Sequence, residues 1–247
     1  MKTSEIAIRD PFIVKKDGKY YMYGTRANGD FGMNVGGFDV YVSEDLLEWS
    51  EPLEVFDSAY YGLNDGANWA PEVHEYKGKF YMLATFTREN GLRGTFALVS
   101  DSLTGPFVPT SKKPLTPEEW ECLDGTLYIS KKGEPYLVFC HEHTQIIDGT
   151  MCFVRLARDL SQSVGEATTL FAASEPSWAD KKPEGEHYVT DGPFMYRAED
   201  GELYMIWSTF IGQNYAECLV HFEGGELSAN FEHKPPIMAD DGGRNAF

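Results

Sequence analysis

The sequence lacks long hydrophobic runs and clusters of basic residues, and each absence excludes a class of protein. No segment approaches the roughly 20 consecutive apolar residues that a membrane-spanning helix needs. The 247 residues include 21 Lys and Arg against 39 Asp and Glu, a formal net charge of −18. Faces that bind nucleic acid or anionic membranes require clustered Lys and Arg. We therefore expect neither nucleic acid nor a membrane as a partner.

Cysteine is scarce as well. The four cysteines, Cys122, Cys140, Cys152 and Cys218, occur without a CxxC motif or the Cys/His spacing of a zinc site. This usage is typical of reduced thiols in a core, and residues 1–10 contain no apolar segment of a signal peptide. The sequence predicts a cytoplasmic protein, unless a signal peptide has been removed, and it does not indicate the oligomeric state.

Helical periodicity is almost missing, since no stretch longer than about ten residues shows it. Instead, one pattern occurs four times, beginning near Asp10, Ala70, Asp124 and Asp191. Each copy contains a short apolar run, a turn that ends in Gly, and a second run rich in Tyr and Phe. This order is typical of a β-hairpin with a positive φ at the Gly.

A second, weaker repeat follows each hairpin, beginning at Phe38, Thr95, Cys152 and Ala216. Two hairpins make four strands, and the units recur about every 55 to 65 residues, somewhat longer than usual propeller repeats. The sequence therefore predicts an all-β chain, a β-propeller with about four blades visible. Residues 237–247 resemble the approach to a further inner strand, so a fifth blade is expected to be truncated.

Acidic residues occur at the start of these repeats. The alignment gives Asp10, Asp124 and Asp191 the same position, whereas the second copy has Ala70 there and Glu72 two residues later on the same strand face. Inner strands line the channel of a propeller, so these side chains should meet at one mouth. Crowding should raise the pKa of at least one carboxyl, as glycoside hydrolysis requires. Ordinary Asp-Gly and Asp-Pro turn chemistry remains the alternative.

Four motifs at these positions have the order found in a known family: Arg9-Asp10-Pro11-Phe12, Asn68-Trp69-Ala70-Pro71-Glu72-Val73, Leu123-Asp124-Gly125-Thr126-Leu127 and Thr190-Asp191-Gly192-Pro193-Phe194. In these motifs the chain resembles glycoside hydrolase family 43, five-bladed propellers that cleave arabinofuranosides and xylosides in plant polysaccharides. The resemblance extends from Asp10 to about Ile237. It implies a single catalytic propeller domain over residues 1–247.

The resemblance also implies inverting hydrolysis with three acids in defined roles. Asp10 would be the general base, and Asp124 would tune and orient the acid. Asp191 stands where the family has the Glu that acts as general acid, and Asp is one methylene shorter. Glu142 is therefore the alternative acid. The first hypothesis is an exo-acting glycosidase of the arabinofuranosidase or xylosidase type, acting on α-L-arabinofuranosyl or β-D-xylosyl residues of plant-derived oligosaccharides.

Five further residues are candidates for binding this oligosaccharide substrate: Trp69 by stacking, Glu72, His74 and His141 by hydrogen bonds, and Gln145 from a predicted loop over residues 144–151. Packing between blades is an equal alternative for Trp69, and structural hydrogen bonds are the alternative for the histidines. The reaction requires no cofactor. Members of the family can hold calcium, but no matching His ligand follows Asp241-Gly242-Gly243, so the sequence predicts no bound metal.

Two other functions remain open. One is a non-catalytic carbohydrate-binding propeller, suggested by the Asp at the usual Glu position and by the incomplete fifth blade. The other is a retaining, fructan-type propeller glycosidase. Carboxyl separation distinguishes the enzymes, since retaining glycosidases hold their two carboxyls about 5–5.5 Å apart and inverting ones about 6.5–9.5 Å apart.

Overall fold

The computed structural model describes residues 1–27, 36–63 and 66–239. In these ranges the chain forms sixteen strands in four antiparallel sheets, each of four strands in sequential order. The chain divides into two compact units, Met1–Leu115 and Thr116–Phe247, and each unit holds two sheets. The prediction of an all-β chain built from four-stranded blades is confirmed.

The first unit begins with a 3₁₀ turn at Thr3–Glu5. Sheet 1 then consists of β1 (Ile8–Lys16), β2 (Lys19–Arg26), β3 (Phe38–Ser43) and β4 (Leu53–Phe56). Sheet 2 consists of β5 (Asn68–Tyr76), β6 (Lys79–Thr87), β7 (Arg93–Ser100) and β8 (Val108–Pro109). The third strands contain the weaker sequence repeat, as predicted.

The second unit repeats this arrangement. Sheet 3 consists of β9 (Cys122–Ile129), β10 (Pro135–His141), β11 (Thr150–Leu156) and β12 (Ser163–Ala172), and sheet 4 of β13 (Asp191–Arg197), β14 (Leu203–Ile211), β15 (Asn214–Phe222) and β16 (Phe231–Ala239). A one-turn helix, α1 (His143–Ile146), follows β10. This helix includes the first residues of the loop predicted over residues 144–151. The last two residues of that segment belong to β11.

The turn of the first hairpin differs in length between the units. In sheet 1, Asp17 and Gly18 have φ of 49° and 79°, so both central residues of the two-residue turn are left-handed. This conformation matches the twist of the flanking strands. In sheet 3 the turn contains three residues and is closed by a bond from the Ser130 amide to the Glu134 carbonyl. Sheet 4 has the same longer turn, closed between Ala198 and Glu202.

A β-bulge interrupts the innermost strand of every sheet near its start. The pairing register slips between Arg9 and Phe12, Trp69 and Glu72, Leu123 and Thr126, and Asp191 and Phe194. One residue inside each bulge has left-handed φ, and these residues are Asp10 (52°), Ala70 (46°), Asp124 (53°) and Gly192 (46°). The bulge is thus a repeated feature of the fold and not an irregularity of one sheet.

Each unit has its own apolar core between its two sheets. In the first unit the core contains fully buried aromatic side chains such as Tyr23, Phe38 and Phe86. In the second unit, Trp207, Phe171 and Met205 lie at the centre. All four cysteines are buried and free, as the sequence predicts.

The prediction of a truncated fifth blade is not confirmed. Ile237 and Met238 belong to β16, the outer strand of sheet 4, so this stretch is not the approach to a new inner strand. The preceding Pro235 and Pro236 lie where the register between β15 and β16 slips, at an outer strand that tolerates residues without an amide hydrogen. The rest of the expected blade, residues 240–247, lies outside the described residues. Within the described ranges, no helix is long and apolar enough to cross a membrane.

Candidate active site

The residues predicted from sequence fall in both units, and each unit is described by itself. Asp10, Trp69, Glu72 and His74 belong to the first unit. The second unit contains Asp124, Asp191 and Glu142, together with His141 and Gln145.

In the first unit, Asp10 is the left-handed residue of the β1 bulge, and its carboxylate is held by Thr25 of β2. The Thr25 hydroxyl donates to Asp10 Oδ2 at 2.6 Å, and Thr25 Oγ1 accepts a hydrogen bond from the Ala70 amide at 2.8 Å. Thr25 is buried, whereas Asp10 is exposed. One buried hydroxyl therefore joins the carboxylate of sheet 1 to the bulge of sheet 2.

The second bulge has a different chemistry. Ala70 occupies the position of Asp10 and has no carboxylate to offer. The bulge also changes the face on which Glu72 lies: Trp69 pairs with Thr85 and Glu72 with Leu83, so Glu72 shares a strand face with Trp69 and not with residue 70. The prediction that Glu72 lies on the same strand face as Ala70 was wrong. It assumed simple alternation, whereas the bulge inserts one residue.

Glu72 and His74 form a pair on β5. His74 Nε2 lies 2.9 Å from Glu72 Oε2, and both side chains are largely buried. The His74 ring also packs against Phe12 of β1, with ring centroids 5.5 Å apart. Trp69 lies next to this pair, and the Arg93 guanidinium carbon stands 5.1 Å from its ring centroid. That cation covers one face of the indole, so sugar stacking on Trp69 remains a prediction for the other face.

In the second unit, Asp124 is the left-handed residue of the β9 bulge. Its Oδ2 accepts a hydrogen bond from the Gly192 amide at 3.2 Å. Gly192 is the left-handed residue of the β13 bulge, so the carboxylate of sheet 3 binds the bulge of sheet 4. The corresponding contact in the first unit runs through Thr25.

Asp191 lies one residue before the position occupied by Asp10 and Asp124. Asp191 pairs with Ser208, as Arg9 pairs with Thr25 and Leu123 with Cys140, so the residue equivalent to Asp10 is Gly192. The sequence alignment gave all three aspartates the same register. That alignment did not take the bulges into account. The left-handed residue of each bulge shows which positions of the four inner strands are equivalent.

Tyr215 of β15 holds Asp191 in place. The Tyr215 hydroxyl donates to Asp191 Oδ2 at 2.6 Å. Burial raises the pKa of Tyr215, and the negative charge of Asp191 raises it further, so the phenol keeps its proton and remains a donor. The charge of Asp124 also raises the pKa of this phenol.

Cys140 is buried, and the charges of three carboxylates of the second unit act on its thiol. Burial raises the pKa of the Cys140 thiol well above its ordinary value, and the negative charges of Asp124, Asp191 and Glu142 act in the same direction. The thiol forms a hydrogen bond with the Thr190 side chain. Cys140 occupies the position that Thr25 has in sheet 1. Because the thiol stays protonated, the negative charge of this region belongs to the carboxylates.

Glu142 is buried and follows β10 at the start of α1. Its neighbour His141 stacks on Trp120 with ring centroids 4.2 Å apart, and its Nε2 lies 2.8 Å from Gln145 Oε1. Gln145 also accepts from the Glu121 amide and donates to the Glu119 carbonyl. Burial lowers the pKa of His141. These contacts give His141 and Gln145 a structural role, and their binding of substrate remains a prediction.

Sequence reasoning missed four residues of the two regions: Thr25, Cys140, Tyr215 and Glu217. Glu217 is the cross-strand partner of Ser208, which in turn pairs with Asp191, so all three lie on one face of sheet 4. Burial raises the pKa of Glu217. The sequence does contain a signal for two of them. The small or apolar residues Ala216, Cys218 and Val220 alternate along β15 and are buried, so Tyr215 and Glu217 share the opposite face.

The sequence predicts no bound metal, and the described residues can be searched for a ligand set. In the part of the chain that the structure describes, no three His, Cys, Asp or Glu side chains are placed to hold a metal ion. Asp241 and the two glycines after it lie outside the described residues. Each unit, taken by itself, contains groups that can transfer protons: a carboxylate held by a threonine in the first unit, and carboxylates held by a backbone amide and a tyrosine in the second.

Comparison with known proteins gives the family. The family model described as glycosyl hydrolases family 43 matches residues 4–239, nearly the whole chain. The chain belongs to glycosyl hydrolases family 43. The resemblance inferred from the four motifs is confirmed. Among curated proteins, no sequence matches the chain.

Solved structures of this family have the same fold. An endo-arabinase from Bacteroides thetaiotaomicron VPI-5482 is 37% identical, with a TM-score of 0.85, over 98% of this chain and 85% of that chain. A thermostable family-43 glycoside hydrolase is 25% identical, with a TM-score of 0.76, over 95% of this chain and 75% of that one. A third structure is an endo-1,4-beta-xylanase from the same Bacteroides strain as the endo-arabinase. It is 24% identical, with a TM-score of 0.71, over 94% of this chain and 75% of that one, and this likeness supports only the fold.

We expect Thr25→Val to destabilise this family 43 chain by about 1–3 kcal/mol. Valine has nearly the same shape, but it removes the donor to Asp10 and leaves the Ala70 amide without its acceptor. Urea unfolding measures the change. The control is Thr168→Val on the exposed part of β12, which should change stability by less than about 0.5 kcal/mol. Equal stabilities of the two variants would contradict the bridging role of Thr25.

Proposed function

We propose that this family 43 glycoside hydrolase cleaves α-L-arabinofuranosyl linkages with inversion of configuration. The observation that carries the proposal is the set of aspartates at or beside the inner-strand bulges, Asp10, Asp124 and Asp191, each held by a specific donor. The choice of sugar is supported by the 37% identity to an endo-arabinase over 98% of the chain.

Asp10 is proposed as the general base. It is exposed, so a water molecule can reach it, and the Thr25 hydroxyl fixes one of its oxygens. A base held in this way presents its other oxygen in a defined direction. Deprotonation of the attacking water by a positioned carboxylate is the step that inverting hydrolysis requires.

Asp191 is proposed as the general acid, with Asp124 as the group that orients it. Asp191 has a shorter side chain than the Glu usual in the family, and misplacement by about 1 Å can cost about 10²-fold in rate. The bond from Tyr215 holds one oxygen of Asp191. Asp124 binds the adjacent Gly192 amide, which fixes the backbone that carries Asp191.

Two other carboxyls compete for the role of acid. Glu142 is buried near Cys140 and close to the same group of charges. Glu217 lies on the same sheet face as Asp191, and burial raises its pKa. A raised pKa is what a proton donor needs near neutral pH, and this favours Glu217. Glu142 is a candidate because of its position, and both glutamates are included in the test of Asp191.

Arabinofuranosyl linkages are preferred over β-D-xylosyl linkages because of the endo-arabinase likeness, and the exo mode predicted from sequence stays a proposal. Chromatography of the products from a linear α-L-arabinofuranosyl pentasaccharide tests the mode. Release of the monosaccharide alone supports exo cleavage, whereas early di- and trisaccharides show endo cleavage.

The base is tested with Asp10→Asn. We expect kcat/KM on nitrophenyl α-L-arabinofuranoside to fall by about 10²- to 10⁴-fold, because the amide cannot accept the proton of water. Nitrophenol release at pH 5 to 7 measures this, with nitrophenyl β-D-xyloside as the comparison sugar. Asparagine tolerates left-handed φ, so the bulge should be kept.

The matched control is Asp17→Asn at the other end of β1. Asp17 is also exposed and left-handed, with φ of 49°, and it lies in the hairpin turn. Its variant should keep wild-type activity. An Asp10→Asn enzyme that is as active as the Asp17→Asn enzyme would remove Asp10 from the mechanism. A folded wild type that cleaves neither these two glycosides nor the linear pentasaccharide would favour the non-catalytic binding alternative.

The acid is tested through leaving groups. Asp191→Asn should lower kcat/KM on a linear arabino-oligosaccharide by about 10²- to 10⁴-fold, and far less on the nitrophenyl glycoside, because nitrophenolate needs little protonation. Glu142→Gln and Glu217→Gln are measured in parallel. If either of these variants shows the leaving-group dependence and Asp191→Asn does not, that glutamate is the proton donor.

A further inference from the structure

An exposed aromatic ring stands at the end of β14, next to the Asp191 region. Phe210 is 41% exposed, unlike most aromatic side chains of the second unit. It lies two residues beyond Ser208, the cross-strand partner of Asp191, so Ser208 and Phe210 share a face of sheet 4. The β14–β15 hairpin therefore continues past the Asp191–Ser208 pair, and Phe210 lies on this continuation.

Two contacts connect this ring with the carboxylate. Phe210 meets Tyr215 edge to face, with ring centroids 5.1 Å apart. The hydroxyl of the same Tyr215 donates to Asp191 Oδ2 at 2.6 Å. The apolar ring and the carboxylate are thus held by one tyrosine, which fixes their relative placement.

The hairpin tip that carries Phe210 is itself anchored. The Gly212 amide donates to a carboxylate oxygen of Asp180, in the segment between sheets 3 and 4. Trp178 in the same segment donates from Nε1 to the Lys234 carbonyl at 2.9 Å. A ring presented from an anchored hairpin loses little conformational entropy when a ligand covers it.

We propose that Phe210 is the stacking surface for the leaving-group sugar, the residue on the far side of the bond to be cleaved. This inference rests on the proposed function, with Asp191 as the proton donor. The donor protonates the glycosidic oxygen, so the sugar that departs with this oxygen lies on the side of the donor. The apolar C–H face of a pentose can cover an aromatic ring.

Among the described residues, the other exposed aromatic side chains have no such connection. Tyr60 of the first unit packs on Tyr61, which stacks on the core residue Phe56. Tyr196 lies on sheet 4 and is 50% exposed, but it is near the end of β13 opposite Asp191. Tyr196 therefore provides a control on the same sheet for the loss of an exposed ring.

The test compares a substrate that has a leaving-group sugar with one that has none. Phe210→Ala should lower kcat/KM on a linear α-L-arabinofuranosyl trisaccharide about tenfold, chiefly through KM, and leave α-L-arabinofuranosyl fluoride unchanged. Phe210→Tyr keeps a ring and should retain most of the activity. Tyr196→Ala should change neither substrate. Calorimetry of trisaccharide binding in an Asp10→Asn background should show the same tenfold loss for Phe210→Ala.

The outcomes separate this inference from the proposed function. If the wild type cleaves both substrates and Phe210→Ala changes neither or both equally, the stacking role is wrong and the glycosidase proposal stands. If the folded wild type cleaves neither substrate, both proposals fail. A selective loss on the trisaccharide, rescued by tyrosine, supports the inference.

Discussion

The candidate site residues of both units depend on one constraint. Each innermost strand has a β-bulge near its start, and one residue of the bulge has a left-handed conformation. This conformation costs an ordinary L-residue about 1–2 kcal/mol, so the chain places there residues that tolerate it or are compensated. Asp10 and Asp124 are polar residues with a hydrogen-bond partner, and Gly192 has no side chain to strain. Ala70 has neither advantage, and its amide is held by Thr25.

The bulge also decides which side chain is presented. Where the left-handed residue is an aspartate, its carboxylate lies at the bulge itself. In sheet 4 the position belongs to Gly192, and the carboxylate moves to Asp191, one residue earlier and paired with Ser208. This shift brings Asp191 within reach of Tyr215. The repeated backbone feature thus gives related positions to acids with different partners, which is what separate roles for base, orienting group and acid require.

The sequence predicted the hairpins, the third strands and the aspartates, because Gly-containing turns and alternating apolar runs are local signals. It did not predict the register of Asp191 or the strand face of Glu72, because a bulge inserts a residue without a distinct sequence mark. Tyr215 and Thr25 were missed because their contacts join residues 24 and 45 positions apart. The segment predicted as a loop contains α1, where Gln145 bonds His141 and two backbone groups of residues 119–121.

The central proposal is that Asp10, Asp124 and Asp191 act in the inverting hydrolysis of arabinofuranosyl linkages. Its most direct test is proton NMR of the first product formed from an aryl α-L-arabinofuranoside, recorded before the sugar anomers equilibrate. Direct attack by a water molecule activated by Asp10 predicts that β-L-arabinose appears first. Initial appearance of the α anomer would show retention through a covalent intermediate, and it would contradict the assignment of Asp10 as a base.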